Sequence, residues 1–246
     1  GKRAAEPEPE PSNPGAFGLS PEAVSRLEAK LAWVYDAKLN RPHDAVIVYR
    51  RLLEANPDDS EAIAHCEALL RRENRQQDLR WLLGLRVEHA ADEQSALDVM
   101  RQWAQLEEES FADVPRAAEL YQRVLERSPA DAVALRELPR LLLVQGEASG
   151  AVSVLLQLRD SLEGAERAKV EAQLAEVYSE RLQMPEEALA AAPSDPMVCY
   201  RAGVVFERIG RRDDAKQFYS QVFGWVFADY GPDYIAFANS GLDGGF

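Results

Sequence analysis

Small, aromatic and aliphatic residues recur along this chain in a fixed order and at helical spacing. The motif occurs three times, as Ala45-Tyr49-Leu52, Ala117-Tyr121-Val124 and Ala215-Tyr219-Val222. The first two copies begin 72 residues apart (117 − 45 = 72), or two units of 36, and each is followed by a proline. A small residue with an aromatic residue one turn later predicts a helix that packs closely on a neighbouring helix.

The apolar spacing predicts six helix pairs, and no stretch shows the sustained alternation that would predict a strand. The pairs are 21–39 with 42–56, 61–73 with 76–89, 93–109 with 114–127, 131–144 with 148–162, 165–182 with 185 onward, and 196–209 with 212–223. Ser20 as N-cap and Pro21 at the first helical position start the first helix. Pro139 falls inside a predicted helix and is expected to kink it, at a cost of about 3 kcal/mol.

The second helix of the fifth pair is unusually short. Only the seven residues EEALAAA separate Pro185 from Pro193. Either a half-length helix lies here, or residues are missing between Ala190 and Pro193. We favour missing residues, because the other second helices are about twice as long.

A second internal match supports a repeated unit. Residues 31–45 and 174–188 share Leu, Ala, Val, Tyr, Leu, Pro and Ala in register, 143 positions apart (174 − 31 = 143). Self-similarity at this period is typical of solenoids built from helix pairs. One helix pair cannot bury its apolar face alone, so neighbouring pairs must stack.

With these repeats, the chain resembles tetratricopeptide repeat proteins over about residues 21–224. One well-matched unit carries Ala202, Gly203, Phe206, Gly210, Ala215, Tyr219 and Val222. The first, third and fifth units lack the turn glycine and are similar to the half-a-tetratricopeptide variety. The resemblance implies an all-α fold, a right-handed α-solenoid of about six stacked helix-turn-helix repeats. In that family the first helices line a concave groove that binds a peptide or protein.

The resemblance also places a set of residues on this groove. They are Arg26, Trp33, Asp36, Asp98, Arg101, Gln105, Arg136, Arg140, Lys169, Glu176, Tyr200 and Val204. Those expected to bind a partner are Trp33, Arg101, Gln105, Arg136, Arg140 and Tyr200. Arg101, Arg136 and Arg140 would form a basic strip suited to an acidic partner, because guanidinium groups bind carboxylates in a bidentate manner. The alternative is that these arginines pair with nearby glutamates.

Composition narrows the function classes. The net charge of −14 argues against nucleic-acid binding and against anionic membrane surfaces. No apolar run approaches the roughly 18 residues of a membrane span. Cys66 and Cys199 lie in no metal-binding or redox motif, which favours buried free thiols in a reducing, cytoplasmic compartment.

The sequence contains few candidates for a catalytic or metal-binding site. The histidines, His43, His65 and His89, have no partner at metal-ligand spacing. Phosphate-loop and nucleophile motifs are missing from the sequence. We therefore expect no cofactor, no metal and no enzymatic activity.

The two ends differ from the repeats. Residues 1–18 are rich in Pro and Glu and predict a disordered tail or linker. Residues 225–246 are predicted to form an aromatic cap followed by a flexible tail, with a short helix starting near Pro232. The alternative is that this aromatic, acidic segment docks on another protein or into the groove.

Taken together, the residues favour a non-catalytic scaffold for protein–protein interaction that binds a peptide or protein, and the basic strip suits an acidic one. The alternative is a structural arm or assembly subunit of a larger complex, without peptide capture. Gly1 in place of an initiator Met suggests an excised fragment, and richness in Ala, Arg, Glu and Leu weakly favours a bacterial source.

Overall fold

Helices account for almost all of the described chain. The structure is a computed structural model that describes residues 20–193 and 195–229, with the backbone of residues 235–238 and 244–245. Its helices are α1 Pro21–Trp33, α2 Pro42–Ala55, α3 Ser60–Arg72, α4 Gln76–Glu88, α5 Glu93–Glu109, α6 Val114–Arg127, α7 Ala132–Gln145, α8 Ala148–Asp160, α9 Gly164–Val177, α10 Pro185–Ala191, α11 Pro196–Arg208 and α12 Arg212–Phe223. Five-residue π-helical turns, Val34–Lys38 and Tyr178–Leu182, extend α1 and α9. Among the described residues, none of the helices combines the length and apolarity needed to cross a membrane.

Local sequence signals explain where these helices begin. Asp131 starts α7 by accepting hydrogen bonds from the backbone N–H groups of Val133 and Ala134, at 3.2 and 2.9 Å. Asp59 and Asp113 begin α3 and α6 in the same way. An acidic N-cap satisfies N–H groups that have no partner inside the helix and complements the positive end of the helix dipole.

The chain divides into two compact units, residues 1–100 and 101–246. In the first unit, α1 to α4 pack one after another; in the second, α6 to α12 do the same. This succession is what an α-solenoid requires, and the predicted all-α helical repeat fold is confirmed. Within the described residues, each of the predicted ranges contains a helix.

The recurring motif forms the core in both units. The three motif alanines, Ala45, Ala117 and Ala215, have no exposed surface, and the three tyrosines, Tyr49, Tyr121 and Tyr219, are also buried. Leu52 and Val124 are buried as well, whereas Val222 is 44% exposed. Val222 lies near the end of α12, and no further helix follows α12 among the described residues.

Three short strands follow α12 and were not predicted. They are β1 Val226–Asp229, β2 Ile235–Ala238 and β3 Gly244–Gly245, paired antiparallel in the order β1-β2-β3. Strands of two to four residues are too short for alternation to be recognised. In the structure, the half-buried Trp225 and Phe227 do alternate with the exposed Val226 and Ala228.

Two other sequence expectations can be compared with the structure. Helix α7 continues through the buried Pro139, from Ala132 to Gln145. Helix α10 has seven residues and buries Pro185 and Ala188, so this sequence has a half-length helix at that place. The predicted tail 1–18 lies outside the described residues, as do residues 230–234 and 239–243. Strand Ile235–Ala238 shows that no helix runs from Pro232 through these positions, and Gly244–Gly245 of the predicted flexible tail form β3.

Candidate functional site

An open groove in the second unit is the strongest candidate site. It has a volume of about 680 Å³ and is lined by α7, the C-terminal half of α8, α9 and the π-turn after α9. Its apolar lining consists of Pro139, Leu143, Val144, Leu155, Leu158, Leu162, Val170 and Val177. Charged side chains of α7 and α9 surround this apolar surface. We call it the α7–α9 groove.

Helical spacing brings the charged lining residues onto one side of each helix. On α7, Arg136 and Arg140 are four residues apart, which makes them neighbours on the helix surface. On α9, Glu166, Lys169 and Gln173 are three and four residues apart, so they are neighbours on the surface of that helix. The other side of α7 is held in place by fully buried leucines such as Leu138 and Leu141.

Most charges in the α7–α9 groove are already paired. Arg140 binds both carboxylate oxygens of Glu108, with Nη1···Oε1 at 2.6 Å and Nη2···Oε2 at 2.8 Å. Its Nη2 also lies 2.9 Å from a carboxylate oxygen of Glu137. The hydrogen bonds from Arg140 hold the pKa of Glu108 below its ordinary value. Arg140 therefore joins α5 to α7 and is not available to a ligand without breaking these contacts.

Carboxylates on α9 and its π-turn are paired in a similar way. Lys169 Nζ lies 2.7 Å from Glu166 Oε1, and its hydrogen bond is the main reason that the pKa of Glu166 is lowered. Arg201 of α11 lies 3.2 Å from Glu180 and 3.7 Å from Glu176. Each of these acidic side chains already faces a cation.

Arg136 and Arg181 are different. Both are exposed and line the α7–α9 groove, and no carboxylate within the described ranges lies within 4.0 Å of either guanidinium group. Arg136 only adds a weak, longer-range contribution to the lowered pKa of Glu166. These two guanidinium groups retain their hydrogen-bond donors for a ligand.

A second groove lies in the first unit, between α1, the end of α2 and α3. Its volume is about 1180 Å³, and its lining includes Trp33, Tyr49 and His65. The Trp33 ring is half exposed, with Lys38 Nζ 5.2 Å from its centroid. Burial raises the pKa of Tyr49 to about 12, so its hydroxyl stays protonated at neutral pH. This groove combines aromatic surface with mixed charges.

Some of the predicted groove residues line one of the two grooves, and others line neither. Arg26 and Trp33 line the groove of the first unit, while Arg136, Arg140, Lys169 and Glu176 line the α7–α9 groove. Of the other residues expected to bind a partner, Arg101 forms an ion pair with Asp131, Gln105 donates a hydrogen bond to Glu109 and Tyr200 is exposed on α11. These three line neither groove.

Only one of the three arginines predicted to form a basic strip is therefore available to a ligand. Arg101 and Arg140 are paired with carboxylates, which leaves Arg136 as its available member. Sequence reasoning missed Arg181, because the positions carried over from the family included only Lys169 and Glu176 in this unit. The spacing of four residues between Arg181 and Val177, which also lines the groove, could have identified it. The π-turn Tyr178–Leu182 changes the direction of its side chains relative to a regular helix.

The buried carboxylate of Glu107, elsewhere in the second unit, has a hydrogen-bond partner. Glu107 has no exposed surface and accepts a hydrogen bond of 2.7 Å from Trp103 Nε1. Arg116 lies over the Trp103 ring, 5.4 Å from its centroid. In the part of the chain that the structure describes, no group of three or more His, Cys, Asp or Glu side chains is arranged to hold a metal ion.

Comparison with known proteins supports the resemblance seen in the sequence. The family described as "Tetratricopeptide repeat" matches residues 30–59, which contain α2 and its flanking turns. A chain in the structure of Naa15/Naa10 bound to HypK-THB superimposes with a TM-score of 0.54 at 14% identity. That superposition covers 81% of this chain and 31% of the other. No curated protein matches this sequence.

Other solved structures give lower scores. The MamA protein has a TM-score of 0.40 at 13% identity, over 77% of this chain and 95% of that one. YrrB, described as a TPR protein with an unusual peptide-binding site, has a TM-score of 0.38 at 14% identity, over 70% and 89%. The chain resembles tetratricopeptide repeat proteins in sequence over residues 30–59, and its fold resembles that of the chain in the Naa15/Naa10 structure. The similarity of some units to the half-a-tetratricopeptide variety stays a prediction.

Proposed function

We propose that this chain is a non-catalytic scaffold whose α7–α9 groove binds an extended peptide or protein segment. The observation that carries the proposal is the combination of an apolar lining with the two available arginines, Arg136 and Arg181. Aliphatic ligand side chains would bury against Leu143 and Leu158. Carboxylates of the ligand would pair with the arginines, which favours an acidic partner with interspersed aliphatic residues.

The charge balance of the groove explains why so few residues would decide its specificity. Arg140 and Lys169 are occupied by Glu108 and Glu166, so they hold the groove walls in place. A ligand that used Arg140 would first have to displace Glu108. The two available arginines face no such competition in the described structure.

The test is binding of a displayed library of random peptides to the full chain. We expect enrichment of peptides with Asp or Glu beside Leu, Ile or Phe. The double change Arg136→Glu with Arg181→Glu should weaken the selected peptides at least tenfold, since each hydrogen bond to a charged group contributes about 1.5–3 kcal/mol.

A matched control makes the same charge change outside the groove. Arg123→Glu with Arg208→Glu alters two exposed arginines that do not line it. Equal binding by the control and the groove variant, or peptides without acidic residues, would remove the α7–α9 groove from the proposal.

Two further expectations belong to this proposal. We infer that residues 19–224 form the repeat array and that the segment from residue 225 caps it. The cap is supported by Trp225, which stacks on Tyr219 at 5.0 Å between ring centroids, and by Phe227 at 6.3 Å from the same ring. A reducing, cytoplasmic compartment is supported by two buried free thiols, Cys66 and Cys199.

A structural arm within a larger assembly is the second candidate. The observation that favours it is the pair of exposed apolar side chains Met197 and Tyr200, three residues apart on α11. A partner subunit recovered with this chain should be lost with Met197→Ser and Tyr200→Ser but retained with the groove variant. Light scattering after size exclusion would then show a complex without any peptide ligand.

A further inference from the structure

Helix α1 leaves one apolar face uncovered. Val24, Leu27 and Leu31 lie at positions i, i+3 and i+7, so they share one face, and they are 41%, 54% and 41% exposed. Ala32 is the buried residue of this helix, whereas α11, another first helix of a pair, buries six. Such a face indicates that something else packs on α1.

We propose that the face is covered by this chain's own segment 16–19, with Leu19 packing on Val24 and Phe17 packing on Leu27 and Leu31. The proposal is independent of the α7–α9 groove, which belongs to the second unit. Its occupant is an intramolecular apolar segment, and no second molecule is required.

The start of α1 has the geometry that this packing needs. Ser20 is the N-cap, with extended backbone angles and a side chain that accepts a hydrogen bond from Ala23 N at 3.3 Å. Leu19 therefore occupies the position before the N-cap, and Val24 is the fourth helical residue. Apolar residues at these two positions form the hydrophobic staple, which directs the incoming chain back along the helix.

The length and composition of the preceding segment also fit. Phe17 lies three residues before Ser20, a reach of about 10 Å for extended chain. Leu27 lies seven residues after Ser20, which is also about 10 Å along a helix. Phe17 and Leu19 are the large apolar residues of the sequence 1–19; the rest is Pro, Glu, Ala, Gly and polar residues.

A second copy of the chain suits this surface less well. Stable interfaces bury at least about 1,200 Å² in total, which three partly exposed aliphatic side chains cannot supply. A tethered segment needs far less area, because its effective concentration is on the order of millimolar without any association step.

The first experiment compares hydrogen exchange in the full chain and two variants. Phe17→Ala with Leu19→Ala should speed exchange of the α1 amides by about fivefold and leave the α11 amides unchanged. The control Ser12→Ala with Asn13→Ala removes polar side chains from the same segment and should exchange like the parent. Unchanged exchange of α1 in the apolar variant would overturn the proposal.

The second experiment identifies the occupant by disulfide formation. Phe17→Cys with Leu27→Cys should oxidise to a disulfide within one chain, faster than Asn13→Cys with Leu27→Cys. Cys66 and Cys199 are buried and should not compete. Disulfides between two chains, or equal rates for the two pairs, would overturn the proposal.

Discussion

Replacing Gly203 with alanine tests a close contact between helices α11 and α12. A Cβ added to Gly203 would lie 2.4 Å from Cε1 and Cζ of Tyr219 and 2.6 Å from its hydroxyl oxygen. Carbon atoms in good contact are about 3.5–4.0 Å apart, so the ring would have to move by about 1 Å. Gly203 belongs to α11 and Tyr219 to α12, so this contact joins the two helices.

Tyr219 has little freedom to move. Its ring is stacked on Trp225 at 5.0 Å and meets Phe218 edge-on at 5.7 Å. Its hydroxyl is hydrogen-bonded to Glu207. An overlap of this size against a fixed ring should cost about 3 kcal/mol, the upper end for overpacked cores. Alanine recovers about 1 kcal/mol through its better helix propensity, which leaves a net loss of about 2 kcal/mol.

The assay is thermal unfolding followed by circular dichroism. For a protein of this size the net loss corresponds to a decrease in Tm of about 4–8 °C. Gly150→Ala on helix α8 is the matched control, because the added Cβ would lie 3.5 Å from Leu142 Cδ1, an ordinary contact distance. The control should melt at or slightly above the parent. A Gly203→Ala variant that melts as high as the control would refute the close contact.

Two further sets of predictions concern side chains that are at least partly buried between helices. Burial raises the pKa of Glu207, against a smaller opposite effect from its hydrogen bond with Tyr219, so the folded state favours the protonated acid. Its contribution to stability is complete at pH values below the unfolded-state pKa and is lost as the pH rises through the folded-state pKa. Glu207→Gln should therefore raise the Tm at pH 7 and lose this advantage below about pH 4. An equal difference in Tm between variant and parent at both pH values would contradict this. Tyr121→Ala should cost about 3–5 kcal/mol and Ala117→Leu about 1–3 kcal/mol, since both positions are buried in α6; denaturation midpoints equal to the parent's would show that neither position is packed as described.

The fold was predictable because its signals are local. The bounds of α5 and α6, Glu93–Glu109 and Val114–Arg127, agree with the sequence-based prediction, since an acidic cap and a proline mark the start of α6. The strand Val226–Asp229 had no such signal. Its pairing with Ile235–Ala238 depends on residues beyond its own four, which a short window cannot reveal.

The site was less predictable, because side-chain pairing between repeats depends on how helices stack. Position mapping assigned Arg140 to a groove, and Arg140 lines the α7–α9 groove, but the mapping could not show that Glu108, 32 residues earlier, would pair with it. The same holds for Asp36, which pairs with Arg72, 36 residues later. Ion pairs over one repeat length have no signature in a single sequence, since any acidic and basic residue could form them.

These pairs form a pattern that explains which cations remain for a ligand. In both units, an acidic residue near the end of one first helix binds an arginine on the next first helix: Asp36 with Arg72, Glu108 with Arg140, and Glu180 with Arg201. Exposed pairs of this kind contribute little free energy, about 0–1 kcal/mol each, but they hold neighbouring helices in register. Arg136 lies one turn before Arg140 and has no acidic residue within ion-pair distance in the described structure. A carboxylate that reaches Arg136 from outside therefore gains a new ion pair without breaking one between repeats, and this is the physical reason to expect acidic ligands at this point of the array.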